Sequence, residues 1–272
     1  MSMSYGRLLE SVRNKNPLIH HITNYVTVND CANITLAVGA SPVMADDISE
    51  AADIARIASA LVINMGTLNE RTVASMLAAG KAANEAGIPV VFDPVGVGAS
   101  SLRNQSAARI LDEVRISVLR GNISEIKRIA GAQAETKGVD ASQEDLLTAA
   151  DAVAVAKSLP AKLGCVVAVT GAIDIVSDGE KTVCIENGHF MLSNITGTGC
   201  MCSSLIGSFC GAEPGSCFEA AAAALMTMGV AGEIAFEQAG GKGNGSFRAA
   251  LHDAVSHMDG KVLIGRAKLY EA

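Results

Sequence analysis

Tryptophan is absent from this chain of 272 residues, and aromatic residues make up only 3% of it. Because the bases of single-stranded nucleic acid stack on aromatic side chains, few stacking platforms are available. Positive charge is also in deficit, since 21 lysines and arginines stand against 28 aspartates and glutamates, without a basic cluster. The composition therefore predicts that nucleic acid is not a partner.

Long apolar runs are missing as well. Arg7, Glu10 and Arg13 interrupt the N-terminal stretch, so no targeting segment is expected there. The longest apolar run, residues 220–232, lies between Glu219 and Glu233 and is shorter than the roughly 20 residues that span a bilayer. We expect a soluble, cytoplasmic protein without a membrane partner.

Paired cysteines and metal-ligand spacings are not evident either. The seven cysteines are odd in number and irregular in spacing, which predicts reduced thiols in the absence of a secretory signal. Cys200 and Cys202 are two residues apart, which is not a zinc-knuckle interval, and no histidine pair follows. His20 and His21 have no partner at metal-binding spacing, so we expect hydrogen-bonded structural histidines.

What is present is an alternation of short apolar runs with amphipathic stretches. Strands are predicted at 18–22, 60–65, 89–93, 116–120 and 165–170, and helices at 28–38, 69–86, 106–113 and 143–158. Residues 174–186 alternate with period two about Asp178-Gly179, which predicts an antiparallel hairpin at one edge of the sheet. Further helices are predicted at 199–211, 216–238 and 246–257. The pattern indicates a three-layer α/β fold with a mostly parallel sheet, in one domain over 1–272.

The sharpest motif is Asn-Ile-Thr-Gly-Thr-Gly-Cys-Met at 194–201, just ahead of an apolar helix. Glycines allow close backbone approach, and a helix N-terminus offers free N–H groups and a positive dipole end. Such a segment suits a phosphate, or charge that develops on a phosphoryl group during transfer. Cys200 in the first turn should have a lowered pKa and form a reactive thiolate. The alternative is a glycine-rich turn followed by a core cysteine.

Three further motifs follow predicted strands. Asp93 precedes Pro-Val-Gly-Val-Gly and suits a magnesium ion or its waters, although an aspartate there can also cap a turn. Arg120 could bind nucleotide phosphate and Glu125 could lie near the metal, while the Asn122–Glu125 spacing also fits a capping box. Thr170, followed by glycine, offers a hydroxyl. The carboxyl ends of parallel strands share one edge, so these groups should converge.

The N-terminal part carries His-Ile-Thr-Asn at 21–24, Asn29 and Asn33, then Ser-Pro-Val-Met-Ala at 41–45. Polar residues this dense beside apolar runs suggest a small polar ligand. Local capping and turn formation are the alternative, and Met44 is more often a core residue than a ligand contact.

Taken in order, HITN, SPVMA, NMGT, DPVGVGAS, RGNISE, VTG and TGTGC resemble the hydroxyethylthiazole kinase family. The resemblance runs from about Pro17 to at least Cys210, and Gly-Asn-Gly-Ser-Phe at 243–247 is similar to a late motif of that family. It implies a single ribokinase-like domain that transfers the γ-phosphoryl group of ATP, with magnesium, to 4-methyl-5-(2-hydroxyethyl)thiazole. A homotrimer with active sites at subunit interfaces is also implied.

The resemblance further implies roles for individual residues. Arg120 and Thr170 would bind the nucleotide, and Asp93 and Glu125 would hold magnesium, partly through water. Met44, Gly197 and, more weakly, Asn24 would line the thiazole site. The anion hole would consist of four consecutive residues: Gly197, Thr198, Gly199 and Cys200.

Cys200 also distinguishes this resemblance from its rivals. Most ribokinase-like kinases have an aspartate where this sequence has Cys200, and that aspartate takes the proton of the substrate hydroxyl. The hydroxymethylpyrimidine phosphate kinases also have a cysteine there, but HITN, SPVMA and RGNISE favour the thiazole enzyme. A nucleotide-dependent dehydratase on this fold would have the motif GTGD, with an aspartate in place of Cys200. A non-catalytic nucleotide-binding regulator would not need Asp93, Arg120, Glu125 and Cys200 all to be present.

Overall fold

The computed structural model describes residues 2–131 and 149–272, and within them one sheet dominates. Its order is β2-β1-β3-β4-β5-β6-β7-β8-β9. The first six of these strands pair in parallel, and the last three continue the sheet antiparallel. The strands are β1 (Leu18–Ile22), β2 (Ser41–Met44), β3 (Ala60–Asn64), β4 (Val90–Asp93), β5 (Val118–Asn122), β6 (Val166–Thr170), β7 (Asp174–Ser177), β8 (Thr182–Ile185) and β9 (Leu269–Glu271).

Helices cover both faces of this sheet. They are α1 (Ser2–Lys15), α2 (Val28–Val38), α3 (Ala51–Ile57), α4 (Glu70–Ala86), α5 (Ser101–Glu113), α6 (Ile123–Ile129), α7 (Ala149–Ser158), α8 (Pro160–Leu163), α9 (Thr198–Ala212), α10 (Cys217–Ala239), α11 (Asn244–His257) and α12 (Gly260–Arg266), with short 3₁₀ turns at Phe190–Asn194 and Gly240–Lys242.

The strands are apolar on both sides because two separate cores flank the sheet. In β3, Val62 belongs to the core built with α1, α2 and α9 to α12, whereas Leu61 and Ile63 belong to the core built with α3 to α7. Successive side chains of a strand point to opposite faces, so a strand covered twice must be continuously apolar. The three-layer α/β prediction is confirmed.

Helix α9 lies unusually close to the sheet. A Cβ atom built on Gly207 would stand 2.5 Å from Cγ2 of Val62, a distance that real side chains do not adopt. Glycine at this position therefore lets the helix approach β3. The N-terminus of α9 lies at the carboxyl edge of the parallel strands, where Ser203 contacts Asp93 at the end of β4.

Most predicted elements form near their predicted bounds. The antiparallel hairpin consists of β7 and β8, although β9 pairs with β8 and becomes the outermost strand. Of the helix predicted at 143–158, the structure contains α7, and residues 143–148 lie outside the described part. The predictions omitted α1, α3, α8, α12, β2 and β9.

Helix α10 corrects the expectation drawn from the apolar run at 220–232. The helix extends beyond that run, and the segment Cys217–Lys242 is long and apolar enough to cross a membrane. However, 78% of its most apolar window is buried inside the protein, as for the core helix of a globular fold. Ala220 to Ala224 are fully buried, as the alanine run predicts, and helix α10 packs against α9 and α11.

Candidate active site

A cleft of about 860 Å³ opens at the carboxyl edge of the parallel strands. It lies where the ends of β5 and β6 meet the N-terminus of α9. Open α/β sheets bind ligands at this edge. The residues that line it include Asn24, Thr27, Gly66, Arg120, Glu125, Thr170, Asp174, His189, Phe190, Leu192, Gly197, Thr198, Gly199, Cys200 and Cys202.

The residues predicted to form the anion hole are together at the start of α9. Gly197 is its N-cap and has φ of +88°, a left-handed conformation that favours glycine. A Cβ atom there would also stand 2.7 Å from Cγ2 of Thr27. The first N–H groups of a helix lack intrahelical partners, so this turn presents donors and a positive dipole end to the cleft.

Asp93 ends β4, is fully buried and contacts the cleft-lining Arg120, although it is not itself among the residues that line the cleft. Its Oδ2 accepts hydrogen bonds from Ser203 Oγ at 2.7 Å, Asn64 Nδ2 at 3.0 Å and Arg120 NH1 at 3.3 Å. Its Oδ1 has no partner among the described residues. Burial raises the pKa of this carboxyl, and the positive charge of Arg120 opposes that shift. These contacts are with side chains of distant elements, so they do not fit the alternative in which Asp93 caps the following turn.

Arg120 ends up beneath the anion hole. Its NH2 donates to Thr170 Oγ1 at 2.6 Å, and its NH1 donates to Asp93. A Cβ atom on Gly199 would stand 2.7 Å from Arg120 NH1, so glycine is what leaves room for the guanidinium. The two residues predicted for nucleotide binding, Arg120 and Thr170, are thus in direct contact and line the cleft.

Glu125 fulfils the capping-box alternative and also faces the cleft. Asn122 Oδ1 accepts the Glu125 amide at 2.9 Å, and Glu125 Oε2 accepts the Asn122 amide at 2.8 Å. Its other oxygen accepts the Gly96 amide at 2.7 Å. Burial, and next the negative charge of Asp93, raise the pKa of Glu125 to about 7. Each oxygen keeps a second lone pair for a ligand.

The environment of Cys200 corrects one expectation. The residue lies in the first turn of α9, as predicted, and its side chain is half-buried. Burial, followed by the negative charge of Asp93, raises the thiol pKa rather than lowering it. The cause is that little water reaches the sulfur and a carboxylate lies close by. Cys200 is therefore a protonated thiol at neutral pH.

Two asparagines donate hydrogen bonds to the Cys200 sulfur, and only one of them was proposed from the sequence. Asn24, proposed from the HITN motif, donates to Cys200 Sγ at 3.3 Å. Asn64 donates to the same sulfur at 3.3 Å and was missed from sequence, although it ends a buried strand in the same manner as Asp93. Ser203, which holds Asp93, carries no sequence signal because it lies within an apolar helix.

Met44 lies elsewhere. It ends β2, the edge strand, whose side chains are half-buried, and it is not among the cleft-lining residues. His20 and His21 are confirmed as buried structural histidines, with Nε2 of His20 bound to the Ala45 carbonyl at 2.7 Å and Nδ1 of His21 to the Ile19 carbonyl at 3.1 Å.

The Asn33 side chain donates to Asn29 one turn earlier in α2, which fits the alternative of local capping and turn formation. All seven cysteines are free.

A parallel sheet whose carboxyl edge carries a glycine-preceded helix start, an arginine and two buried carboxyls is an arrangement that suits phosphoryl transfer to a small molecule. Residues 9–261 match the hydroxyethylthiazole kinase family. The chain is 62% identical to hydroxyethylthiazole kinase of Ruminiclostridium cellulolyticum, with 97% of this chain and 96% of the relative aligned. For the enzyme of Clostridium beijerinckii the identity is 60%, with 100% and 98% aligned. The chain belongs to the hydroxyethylthiazole kinase family.

Solved structures agree. The hydroxyethylthiazole kinase protein from Pyrococcus horikoshii OT3 superposes with a TM-score of 0.89 at 39% identity, and the match covers 99% of both chains. Bacillus subtilis pyridoxal kinase, solved as an ADP complex, superposes with a TM-score of 0.60 at 17% identity, covering 79% of this chain and 90% of that one. The second likeness concerns the fold alone.

Proposed function

We propose that the protein transfers the γ-phosphoryl group of ATP to the hydroxyl of 4-methyl-5-(2-hydroxyethyl)thiazole, yielding the monophosphate in thiamine biosynthesis and salvage. The observation that carries this proposal is the convergence of the α9 N-terminus, Cys200 and Asp93 at one edge of the sheet. Membership of the kinase family supplies the substrates. The whole chain, 1–272, would form one kinase domain in the cytoplasm.

The backbone of Gly197, Thr198 and Gly199 would stabilise the phosphoryl group during transfer. Phosphoryl transfer proceeds through a loose transition state, with charge spread over the equatorial oxygens, so positioned N–H donors account for much of the rate. Cys200 would lie beside the substrate hydroxyl. A protonated thiol is a weak base, but a loose transition state requires little proton removal early in the reaction.

Arg120 and Thr170 would face the nucleotide from the cleft floor. The buried guanidinium contributes a fixed positive charge near the phosphates, and Thr170 holds its orientation through the 2.6 Å hydrogen bond. Asp93 and Thr170 engage one N–H of each terminal nitrogen of Arg120, so the second N–H of each would be available to a phosphate oxygen.

Asp93 and Glu125 fit a magnesium ion that is shared with the nucleotide. Magnesium is commonly held by one or two carboxylates together with waters and substrate phosphates, so a cage of three protein ligands is not required. The free Oδ1 of buried Asp93 supports this assignment, because a fully buried carboxylate oxygen without a partner is costly. When bound, the ion would neutralise charge on the β- and γ-phosphates.

The thiazole subsite would be completed by Gly197, Asn24 and Met44. Since Met44 does not line the cleft of its own chain, we propose a homotrimer in which it contributes to a site at the subunit interface. Large apolar side chains are exposed in the same N-terminal part of the chain, namely Tyr25, Val26, Leu36, Ile48 and Ile57. Three heterologous contacts would close a ring.

The primary test is an assay with ATP and magnesium in which the thiazole alcohol, hydroxymethylpyrimidine phosphate and hydrated nicotinamide cofactor are offered separately. We expect the thiazole monophosphate, detected by mass spectrometry, and no turnover of the other two. A folded sample that yields no thiazole monophosphate contradicts the proposal. Light scattering should give the mass of three chains, and a fully active monomer would exclude the shared site.

A further inference from the structure

Asn64 lies at the centre of the site's hydrogen-bond network, although none of the roles above is assigned to it. It is the last residue of β3 and stands opposite Asp93 in the register with β4. Its side chain is only 2% exposed. A buried carboxamide costs free energy unless its donors and acceptor are satisfied, so its partners reveal what it does.

The Asn64 carboxamide uses its whole hydrogen-bonding capacity. Nδ2 donates to Asp93 Oδ2 at 3.0 Å and to Cys200 Sγ at 3.3 Å. Oδ1 accepts from Asn24 Nδ2 at 2.9 Å and from the Gly66 amide at 2.9 Å. The orientation of the amide is unambiguous, because the Gly66 N–H requires an acceptor and the Asp93 carboxylate requires a donor.

Asn24 is saturated in the same way and reinforces Asn64. Its Oδ1 accepts from the amide and hydroxyl of Thr27, both at 3.1 Å, so its Nδ2 must face Asn64 and Cys200. A Cβ atom on Gly66 would stand 2.5 Å from Asn24 Nδ2, so the glycine leaves the space in which this amide sits. The two asparagines therefore direct two N–H groups at one sulfur.

We propose that Asn64 is a positioning residue of the phosphoryl-transfer site, whose two N–H bonds fix the Cys200 sulfur relative to the Asp93 carboxylate. The first group would lie beside the substrate hydroxyl and the second beside the nucleotide phosphates, so this inference rests on the proposed function. By engaging Oδ2 of Asp93, Asn64 leaves Oδ1 free for a ligand. By donating to the sulfur, it occupies an acceptor site of Cys200 and leaves the S–H to point elsewhere.

The sharpest variant is Asn64→Asp, which keeps the shape of the side chain but replaces its two N–H donors by a carboxyl group. Because misplacement affects the transition state more than substrate binding, we expect kcat to fall about 100-fold while KM for either substrate changes less than about threefold. Asn64→Ala, which adds no buried charge, should lower kcat in the same direction. Asn84→Asp is the matched control, since the Asn84 side chain bonds to the Arg115 backbone on the surface, and it should leave kcat unchanged.

A second readout needs no turnover. Iodoacetamide alkylation of Cys200, measured by mass spectrometry relative to the half-buried Cys217 of the same molecule, reports the sulfur environment directly. Loss of the Asn64 N–H donor to the attacking sulfur should lower the Cys200/Cys217 ratio about tenfold in Asn64→Ala, where no new carboxylate lies beside the sulfur, and at least as much in Asn64→Asp. Since this result is independent of kinase activity, failure of the proposed function and failure of this inference can be told apart.

Three outcomes would overturn the role of Asn64. One is an unchanged alkylation ratio in folded Asn64→Asp. Another is a loss of kcat in both variants that only matches their loss of folded protein, measured by active-site titration or circular dichroism. The third, if the aspartate variant does not fold, is a folded Asn64→Ala with wild-type kcat. A selective fall in kcat together with a lowered alkylation ratio supports it.

Discussion

Replacement of Gly199 by alanine tests how much the buried Arg120 contributes to stability and turnover. Gly199 is the second residue of α9, where alanine would ordinarily stabilise a helix by about 1 kcal/mol. Here its Cβ atom would stand 2.7 Å from NH1 and 2.9 Å from NH2 of Arg120. The guanidinium must move away, and its bonds to Asp93 and Thr170 are then lost.

The magnitude follows from these opposing terms. A hydrogen bond to a charged group contributes about 1.5–3 kcal/mol, so loss of the two bonds costs about 3 kcal/mol at the lower end. After the helical gain of about 1 kcal/mol is subtracted, the free energy of unfolding should fall by about 2 kcal/mol. In a chain of this size that lowers Tm by about 4–8 °C. Without its fixed positive charge, the site should also lose about 100-fold in kcat.

Gly265→Ala is the matched control, because Gly265 lies in the exposed part of α12 and a Cβ atom there meets nothing within 4 Å. It should leave kcat unchanged and raise Tm slightly, through a helical gain of up to about 1 kcal/mol. Calorimetry of the ligand-free proteins and steady-state kinetics would measure both effects. If Gly199→Ala behaves like Gly265→Ala, Arg120 moves aside freely and its two hydrogen bonds contribute little.

Cys200→Ala should lower kcat more than it raises KM, and Cys200→Asp should keep or raise activity; unchanged turnover in the alanine variant would make Cys200 a packing residue. Asp93→Asn and Glu125→Gln should increase the magnesium concentration needed for half-maximal rate, whereas an unaltered magnesium titration would argue against both as ligands. His21, whose pKa burial lowers to about 4, is neutral in the fold. The unfolded chain therefore binds a proton first as pH falls below about 6.5, and up to about 3 kcal/mol of stability is lost between pH 6.5 and 4. Urea unfolding of His21→Leu should lack this loss; an identical pH profile would show that other groups cause it.

Sequence by itself determined the layers of this protein. The runs at 18–22 and 165–170 became central strands because a strand buried on both faces has to be apolar throughout, which is a local and visible pattern. The Asn122–Glu125 capping box was equally readable, since its partners are three residues apart. Polar residues at strand ends, together with the helix start at Cys200, were enough to place Asp93, Arg120, Thr170 and Cys200 at one edge.

Only the tertiary structure decided which of these groups are in contact and how their pKa values shift. Asn64 and Cys200 are 136 positions apart, and their contact depends on how closely α9 packs on β3, where Gly207 meets Val62. The same packing brings Ser203 to Asp93 and buries the Cys200 thiol beside that carboxylate, so the pKa that a helix start would lower is raised instead. Met44 lies on an edge strand because β2 pairs with β1 alone. Strand order and desolvation arise from packing between distant segments, and no local pattern encodes either one.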